Sequence, residues 1–287
     1  MKKFLKISGA LFVTMLMVGL MTSSCKKSNN PNAGKTDPST IATTNLVAYF
    51  PFDGSGTESI GALTPTVTTG VTYVTGKRGQ AYQGADLARL RYTLPAASKL
   101  KSLTSFSVAL WIKSPLVTGD PEPIFFQIGK SDDLIWGNLT LALNRLSATA
   151  DSLQFKAFFL KTGVEWSGQN VPFTSKNFVI NTWAHMIFEY DATTSKYKIF
   201  RNGVQVVTNA SVENRYASQA LDPLGALAFA NADVINIGAW RPKSEGTATD
   251  TWMGWFNGNL DELRVYDKAL SDAEALALFD AEVTQLN

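Results

Sequence analysis

Disulfide chemistry is unavailable to this chain, because Cys25 is the only cysteine in its 287 residues. A fold without a staple must rest on its core. Histidine is as scarce: His185 stands alone, with no nucleophile beside it in a recognisable motif, and nothing resembles a zinc or redox-metal site. No glycine-rich loop follows a strand and opens a helix, so nucleotide binding has no support. Past the first 25 residues, no apolar run is long enough to cross a bilayer. Charge excess is lacking as well. Three of the 26 basic residues, Lys2, Lys3 and Lys6, sit in the leader, and without them 23 face 24 acidic ones. A chain so near neutrality has no electrostatic footprint for nucleic acid. There is no internal repeat.

What is present begins with that leader. Lys2, Lys3 and Lys6 precede a mostly apolar run from Ile7 to Met21, which ends in small residues before Cys25. This is the layout of a signal peptide. Thr22-Ser23-Ser24-Cys25 resembles the lipobox of bacterial lipoproteins, which implies acylation of Cys25 and anchoring to the outer membrane through that lipid alone. Bacteroidetes-type surface lipoproteins often carry an acidic run after this cysteine. Here the run reads Lys26-Lys27-Ser28-Asn29-Asn30, so a periplasm-facing and a surface-facing anchor both stay open. Lys26 to Thr44 has no apolar period and reads as a disordered tether. The chain thus divides into a signal peptide over 1–24, a lipidated cysteine and tether over 25–44, and one domain over 45–287.

The domain is a series of short alternating strands. Leu46, Ala48, Phe50 and Phe52 alternate in the first; Phe106, Val108, Leu110 and Ile112 face inward in another, with Trp111 outward. Ile124–Ile128, Leu139–Leu143, Leu153–Leu160, Trp183–Tyr190 and Ile235–Trp240 follow the same logic, and Asn202-Gly203 closes a hairpin. In the last strand, Asn259, Asp261, Leu263 and Val265 share a face. With Leu263 and Val265 turned to the core, Asp261 points inward, where a carboxylate needs a cation, a donor set or a metal. Glu262 and Arg264 then fall on the opposite face, where pairing in water gains little. Ser271 and Glu274 form a capping box, and Leu276, Phe279 and Val283 give the closing helix its apolar stripe. The class is an all-β, two-sheet antiparallel sandwich with a short C-terminal helix.

Several of these stretches resemble one family. Gly258-Asn-Leu-Asp-Glu-Leu-Arg-Val-Tyr-Asp-Lys-Ala-Leu-Ser271 is similar to the final strand of LamG-like, concanavalin A-like jelly-roll domains. Leu46 to Gly56, Gly76 to Ala81, Phe106 to Ile112, Trp183 to Met186 and the Asn202-Gly203 hairpin match further markers in order. The resemblance implies a concanavalin A-like jelly roll and, at class level, a lectin-like or adhesion role. It also implies the structural calcium that many such domains hold between opening and closing strands, for which Asp53 and Asp261 are the candidate ligands. The alternative is that Asp53 makes its own turn with Gly54-Ser55 and Asp261 accepts backbone amides. Laminarinase-type relatives carry an E-x-D-x-E strand; this chain has none, and adjacent Asp261 and Glu262 face opposite ways, so no catalytic residue is assigned.

Carbohydrate recognition needs aromatic faces for sugar C–H surfaces, with amides and carboxylates for the hydroxyls. Candidates are Trp111, Trp136, Trp166, Trp240 and Trp252. Trp136 sits in a loop with Asp132, Asp133 and Asn138, while Trp240 and Trp252 bracket Arg241, Glu245 and Asp250. The expected function is non-catalytic glycan binding at the cell envelope. The alternatives are a protein-binding or structural module and a divergent glycosidase.

Overall fold

Two eight-stranded sheets make up most of residues 36–117, 121–145, 152–164, 169–176 and 179–284, which the computed structural model describes. The chain divides into Met1–Gly34 and Lys35–Asn287, and the sheets belong to the second unit. In chain order the strands begin β1 (Leu46–Phe50), β2 (Val67–Thr69), β3 (Thr72–Thr75), β4 (Gln80–Gln83), β5 (Arg89–Thr93) and β6 (Phe106–Lys113). Next come β7 (Glu122–Lys130), β8 (Leu139–Arg145), β9 (Ser152–Phe159), β10 (Gln169–Lys176) and β11 (Ala184–Asp191). The last are β12 (Lys196–Arg201), β13 (Val204–Gln205), β14 (Ala232–Ile237), β15 (Met253–Gly254) and β16 (Asn259–Tyr266). Three helices are α1 (Ala210–Glu213), α2 (Arg241–Glu245) and α3 (Asp272–Thr284).

The first sheet runs β13-β12-β11-β6-β16-β4-β3, with β1 also on β16; the second runs β10-β9-β8-β7-β14-β5-β2, with β15 on β7. Every pairing is antiparallel except β15 on β7. The sandwich expected from the alternating strands is therefore the fold. Phe106, Val108, Leu110 and Ile112 project from β6 into a core shared with Phe125, Phe155 and Phe159 of the second sheet. Phe106 meets Phe159 edge to face at 5.3 Å. Asn202 and Gly203 both take positive φ in the two-residue β12–β13 turn, which matches the right-handed twist of its strands.

Two stretches differ from expectation. β10 escapes the alternation rule because it is polar and contains Pro172; it lies at the edge of its sheet, where a missing amide is tolerated. Part of the expected tether is folded: Pro38–Thr40 and Thr43–Asn45 form 3-10 turns, and Ile41 and Ala42 pack against the cluster beneath α3.

The closing strand departs most. Opposite Trp111 and Ala109 of β6 stand Asp261 and Arg264, so β16 carries one extra residue, and Glu262 takes φ 54°. This bulge falls where the neighbour of β16 changes from β4 to β1. It lets Leu260, Leu263 and Val265 all reach the core, and it turns Asp261 and Arg264 to the outer face of the sheet with Trp111. Asp261 therefore does not point into the core.

That outer face is nonetheless dry, because α3 covers it. Ser271 and Glu274 make the expected capping box, with Ser271 N donating to Glu274 Oε2 at 2.8 Å and Glu274 N to Ser271 Oγ at 3.2 Å. The buried side of the helix is Ala275, Leu278, Ala281 and Glu282, while Leu276 is exposed. Of the expected Leu276–Phe279–Val283 stripe, Phe279 packs on Trp111 and His185 while Leu276 turns outward, and Glu282 takes a buried place with partners below. Its Oε2 accepts from Trp111 Nε1 at 2.7 Å, and its Oε1 pairs with Arg264. Arg264 also pairs with Glu262 at 2.6 Å and lies 4.3 Å from the centroid of the Tyr49 ring. Glu262 takes Arg78 at 3.1 Å and the Tyr49 hydroxyl at 2.9 Å. Glu262 and Arg264 do pair, then, but in the interior. Burial opposes the charge on Arg264, yet Glu282 and Glu262 together hold its pKa above the ordinary value.

His185 lies in the same layer, 5.3 Å from Trp111 and 6.0 Å from Phe279 between ring centroids. Neither ring nitrogen has a hydrogen-bond partner among the described residues, although Glu282 is 3.5 Å away. Burial, reinforced by Arg264, lowers its pKa to about 3. The unfolded chain protonates this imidazole near pH 6.5, whereas the folded chain resists until about pH 3. The contribution is complete above pH 6.5 and is lost at roughly 1.4 kcal/mol per unit as pH falls toward 3. Chemical denaturation from pH 7 to pH 4 therefore shows a shallower acid decline for His185→Phe than for the parent. Identical declines contradict this assignment.

Candidate functional site

Three of the sequence-predicted tryptophans meet on the outer face of the second sheet. Trp136 stacks on Trp252 at 5.8 Å and 21°, and Trp240 stands edge-on to both, at 5.4 Å and 5.0 Å. Local chemistry fixes each one. Trp136 lies on a turn in which Asp133 Oδ1 accepts from the amides of Ile135 and Trp136. Its ring packs on Phe158 at 5.0 Å. Trp240 immediately precedes α2, and its Nε1 donates to the Glu122 carbonyl at 2.6 Å. Trp252 precedes β15, and its carbonyl accepts from Glu122 N.

The cluster is mostly a packing device. Trp240 is fully buried, while Trp136 and Trp252 are half-buried. Asn138 is also buried: its Nδ2 donates to Thr162 Oγ1 at 3.3 Å, its amide donates to the Ile128 carbonyl and its carbonyl accepts from Leu160 N, so it is removed from any ligand surface. Trp111, expected outward and exposed, does face outward but is roofed by α3. Asp132 remains exposed and accepts from Asn231 at 2.8 Å. Trp166 and Cys25 lie outside the described residues.

Asp53 and Asp261 come together on one turn. Asp53 Oδ1 accepts from Gln80 N at 2.7 Å, and Asp261 Oδ2 accepts from Lys77 N and Arg78 N at 2.7 and 2.9 Å. Gly79, at φ 51°, has no room for a Cβ against Asp53. Asp53 thus reaches across to the β3–β4 turn instead of holding its own. Burial, with the charges of Glu262 and Glu282, raises the Asp261 carboxyl to about 8 in spite of its two amides. Asp261 Oδ1 has no partner. Among the described residues, no group of three or more acidic, histidine or cysteine side chains could hold a metal. A calcium ion here would have to bind through the Asp53 carboxylate, Asp261 Oδ1 and main-chain carbonyls.

The region that sequence reasoning missed adjoins the tryptophan cluster. Met253 and Gly254 of β15 pair with Glu122 and Pro123, which sets Trp255 on the far side of Met253 from Trp252. There a cleft of about 300 Å3 opens, lined by Trp255, Lys243, Asp86, Asn257, Pro115 and Pro123 among others. α2 supplies Lys243, whose Nζ lies 4.7 Å from the Trp255 ring centroid; Arg89 lies 5.9 Å from the same centroid. α2 is itself anchored by buried Arg241, which grips Asp233 at 2.8 Å and Glu245 at 2.9 Å. Asn257 Nδ2 donates to Asp86 Oδ1 at 3.0 Å. The run Trp252-Met-Gly-Trp255 is the sequence signal for this site: two tryptophans flank two residues that the sheet must bury.

Comparison with known proteins agrees with this architecture. A family model described as the concanavalin A-like lectin/glucanases superfamily matches residues 91–275. No curated protein matches the chain. Among solved structures it is similar to domain 4 of AbnA, a GH43 extracellular arabinanase from Geobacillus stearothermophilus, in complex with arabinotriose. That match has TM-score 0.52 and 20% identity over 82% of this chain and 98% of the other. The binding domain of botulinum neurotoxin DC in complex with rat synaptotagmin II gives TM-score 0.57 at 14% identity, covering 84% of this chain and 52% of the other. A botulinum neurotoxin type C structure, concerned with interaction with two ganglioside molecules, gives TM-score 0.58 at 15% identity, with 84% and 52% covered. The chain spans about half the length of the toxin structures. At these identities the likeness is one of fold. By the extent of its family match, the chain belongs to the concanavalin A-like lectin/glucanase superfamily.

Proposed function

We propose that this protein binds glycan without catalysis, in the cleft beside Trp255. The observation that carries this reading is a half-buried indole lining a cleft together with an aspartate–asparagine pair. Among the described residues Asp86 Oδ2 and Asn257 Oδ1 make no hydrogen bond, so both can accept sugar hydroxyls. Asp86 is the single carboxylate lining the cleft among the described residues, whereas glycoside hydrolysis requires two across the scissile bond. Likeness to a domain in complex with arabinotriose supports the same reading. The test is electrophoresis of the full chain through gels cast with separate polysaccharides. Retardation by at least one, lost in Trp255→Ala with the fold intact, is the expected result; no retardation by any contradicts it.

A protein partner is the second reading, favoured by one observation. Val204 and Leu276 are exposed where the β12–β13 turn meets α3, with Gly203 packed against Leu276 and Phe279. Crosslinking in the envelope, repeated with Val204→Asp, tests it. We also propose that the chain is exported and lipid-anchored at Cys25 in the outer membrane, on the strength of the leader and the lipobox-like Ser23-Ser24-Cys25. Metabolic labelling with an alkynyl fatty acid is expected to be lost in Cys25→Ser. The calcium proposed at Asp53 and Asp261 predicts a lower melting temperature in chelator, and an unchanged melt rejects it.

A further inference from the structure

The chemistry around Trp255 is asymmetric. Lys243 and Arg89 both stand against its ring, and among the described residues neither forms an ion pair. Arg89 spends donors on the carbonyls of Ser244 and Leu87, which satisfies hydrogen bonds without cancelling charge. Lys243 has only the indole as a described partner. The nearby acid that could have neutralised it, Glu245, is committed to Arg241 and Arg91. A cation–π contact holds an ammonium in place at about 0.5–1 kcal/mol where exposed and leaves its positive charge available. Of these two cations it is Lys243 that lines the cleft, together with one carboxylate, Asp86, whose Oδ1 accepts from Asn257. A ligand anion would meet there a positioned, half-buried ammonium.

We propose that the Trp255 cleft selects acidic glycans, with a uronate carboxylate pairing to Lys243 while the sugar's hydroxyls engage Asp86 Oδ2 and Asn257 Oδ1. This rests on the glycan-binding reading above and adds the ligand class. It gives three sets of lining groups a use: Lys243 for the anion, the Asp86–Asn257 pair for a vicinal diol, and Trp255 with Pro115 and Pro123 for C–H surface. A carboxylate and a sulfate share the required charge, and the uronate is favoured because the site offers one ammonium beside diol acceptors.

The test is gel retardation of the full chain by polygalacturonate, by the same polymer after full methyl esterification, by dextran sulfate and by neutral arabinan. Retardation by polygalacturonate at least tenfold stronger than by its methyl ester is expected. It should fall about tenfold in Lys243→Gln and be abolished in Trp255→Ala, with melting temperatures within a few degrees of the parent. Equal retardation by the ester and by arabinan overturns the acidic class while leaving glycan binding intact. Stronger retardation by dextran sulfate than by polygalacturonate overturns the uronate in favour of sulfate. Undiminished binding by a folded Lys243→Gln overturns this placement of the anion. Absence of retardation by all four polymers overturns the inference, and binding to some other glycan in the wider panel would then show that only the class had failed.

Discussion

Arg264→Leu destabilises the protein by about 3–5 kcal/mol, the cost expected when one partner leaves a buried ion cluster. The substitution removes the guanidinium between Glu262 and Glu282, both buried and both with carboxyl pKa values already pushed up by burial; Glu282 loses its ion-paired arginine, and Glu262 is left with Arg78. In a domain of this size the melting temperature falls by about 10 °C. The cost belongs to the stranded acids and not to the loss of an attractive pair. Arg264→Leu combined with Glu262→Gln and Glu282→Gln therefore recovers more than half of it, because the glutamine at 282 can still accept from Trp111 Nε1. Urea denaturation of the single and triple variants measures both numbers. A loss under 1 kcal/mol would mean that Glu262 and Arg264 pair in water, as simple strand alternation implies.

Trp240→Ala costs about 3–5 kcal/mol and also abolishes glycan retention, although Trp240 does not line the cleft. Its indole fills the space between Trp136 and Trp252, and its Nε1 satisfies the Glu122 carbonyl on β7. It also stands at the start of α2, which carries Lys243 to the Trp255 ring. Losing it loosens the whole 240–255 stretch, and the cleft with it. Denaturation and gel retardation should fail together in this variant, whereas Trp255→Ala should lose retention alone. Loss of retention with full stability in Trp240→Ala would make Trp240 a direct ligand contact and contradict its burial.

The fold was legible wherever one rule governed a strand. Phe106 to Ile112 alternates because one face meets the opposite sheet, and the hairpin at Asn202-Gly203 follows from two residues that accept positive φ. Legibility failed where two rules compete. Leu263 and Val265 reach the core as alternation has it, but the inserted Glu262 shifts the register by one residue and so reverses the facing of Leu260 and Asp261 before it. The helical stripe of Leu276, Phe279 and Val283 is apolar, yet the buried side also takes in Glu282, whose partners Trp111 and Arg264 lie on β6 and β16. The tryptophans show the same limit. Their placing in polar loops was readable from composition, but that Trp136 meets Trp240 and Trp252, and which indole packs, follows from the fold and not from any spacing. Trp111 looked exposed because its strand neighbours say so, and α3 arrives from another part of the chain to cover it.

The most direct measurement is a crystal structure of the protein with an oligosaccharide cut from whichever polysaccharide retains it. The account predicts a sugar ring against Trp255, with hydroxyls within hydrogen-bond reach of Asp86 and Asn257 and any acidic group beside Lys243. A sugar seated instead on Trp136 and Trp252, or at the edge of the first sheet with the Trp255 cleft free of ligand, would contradict it.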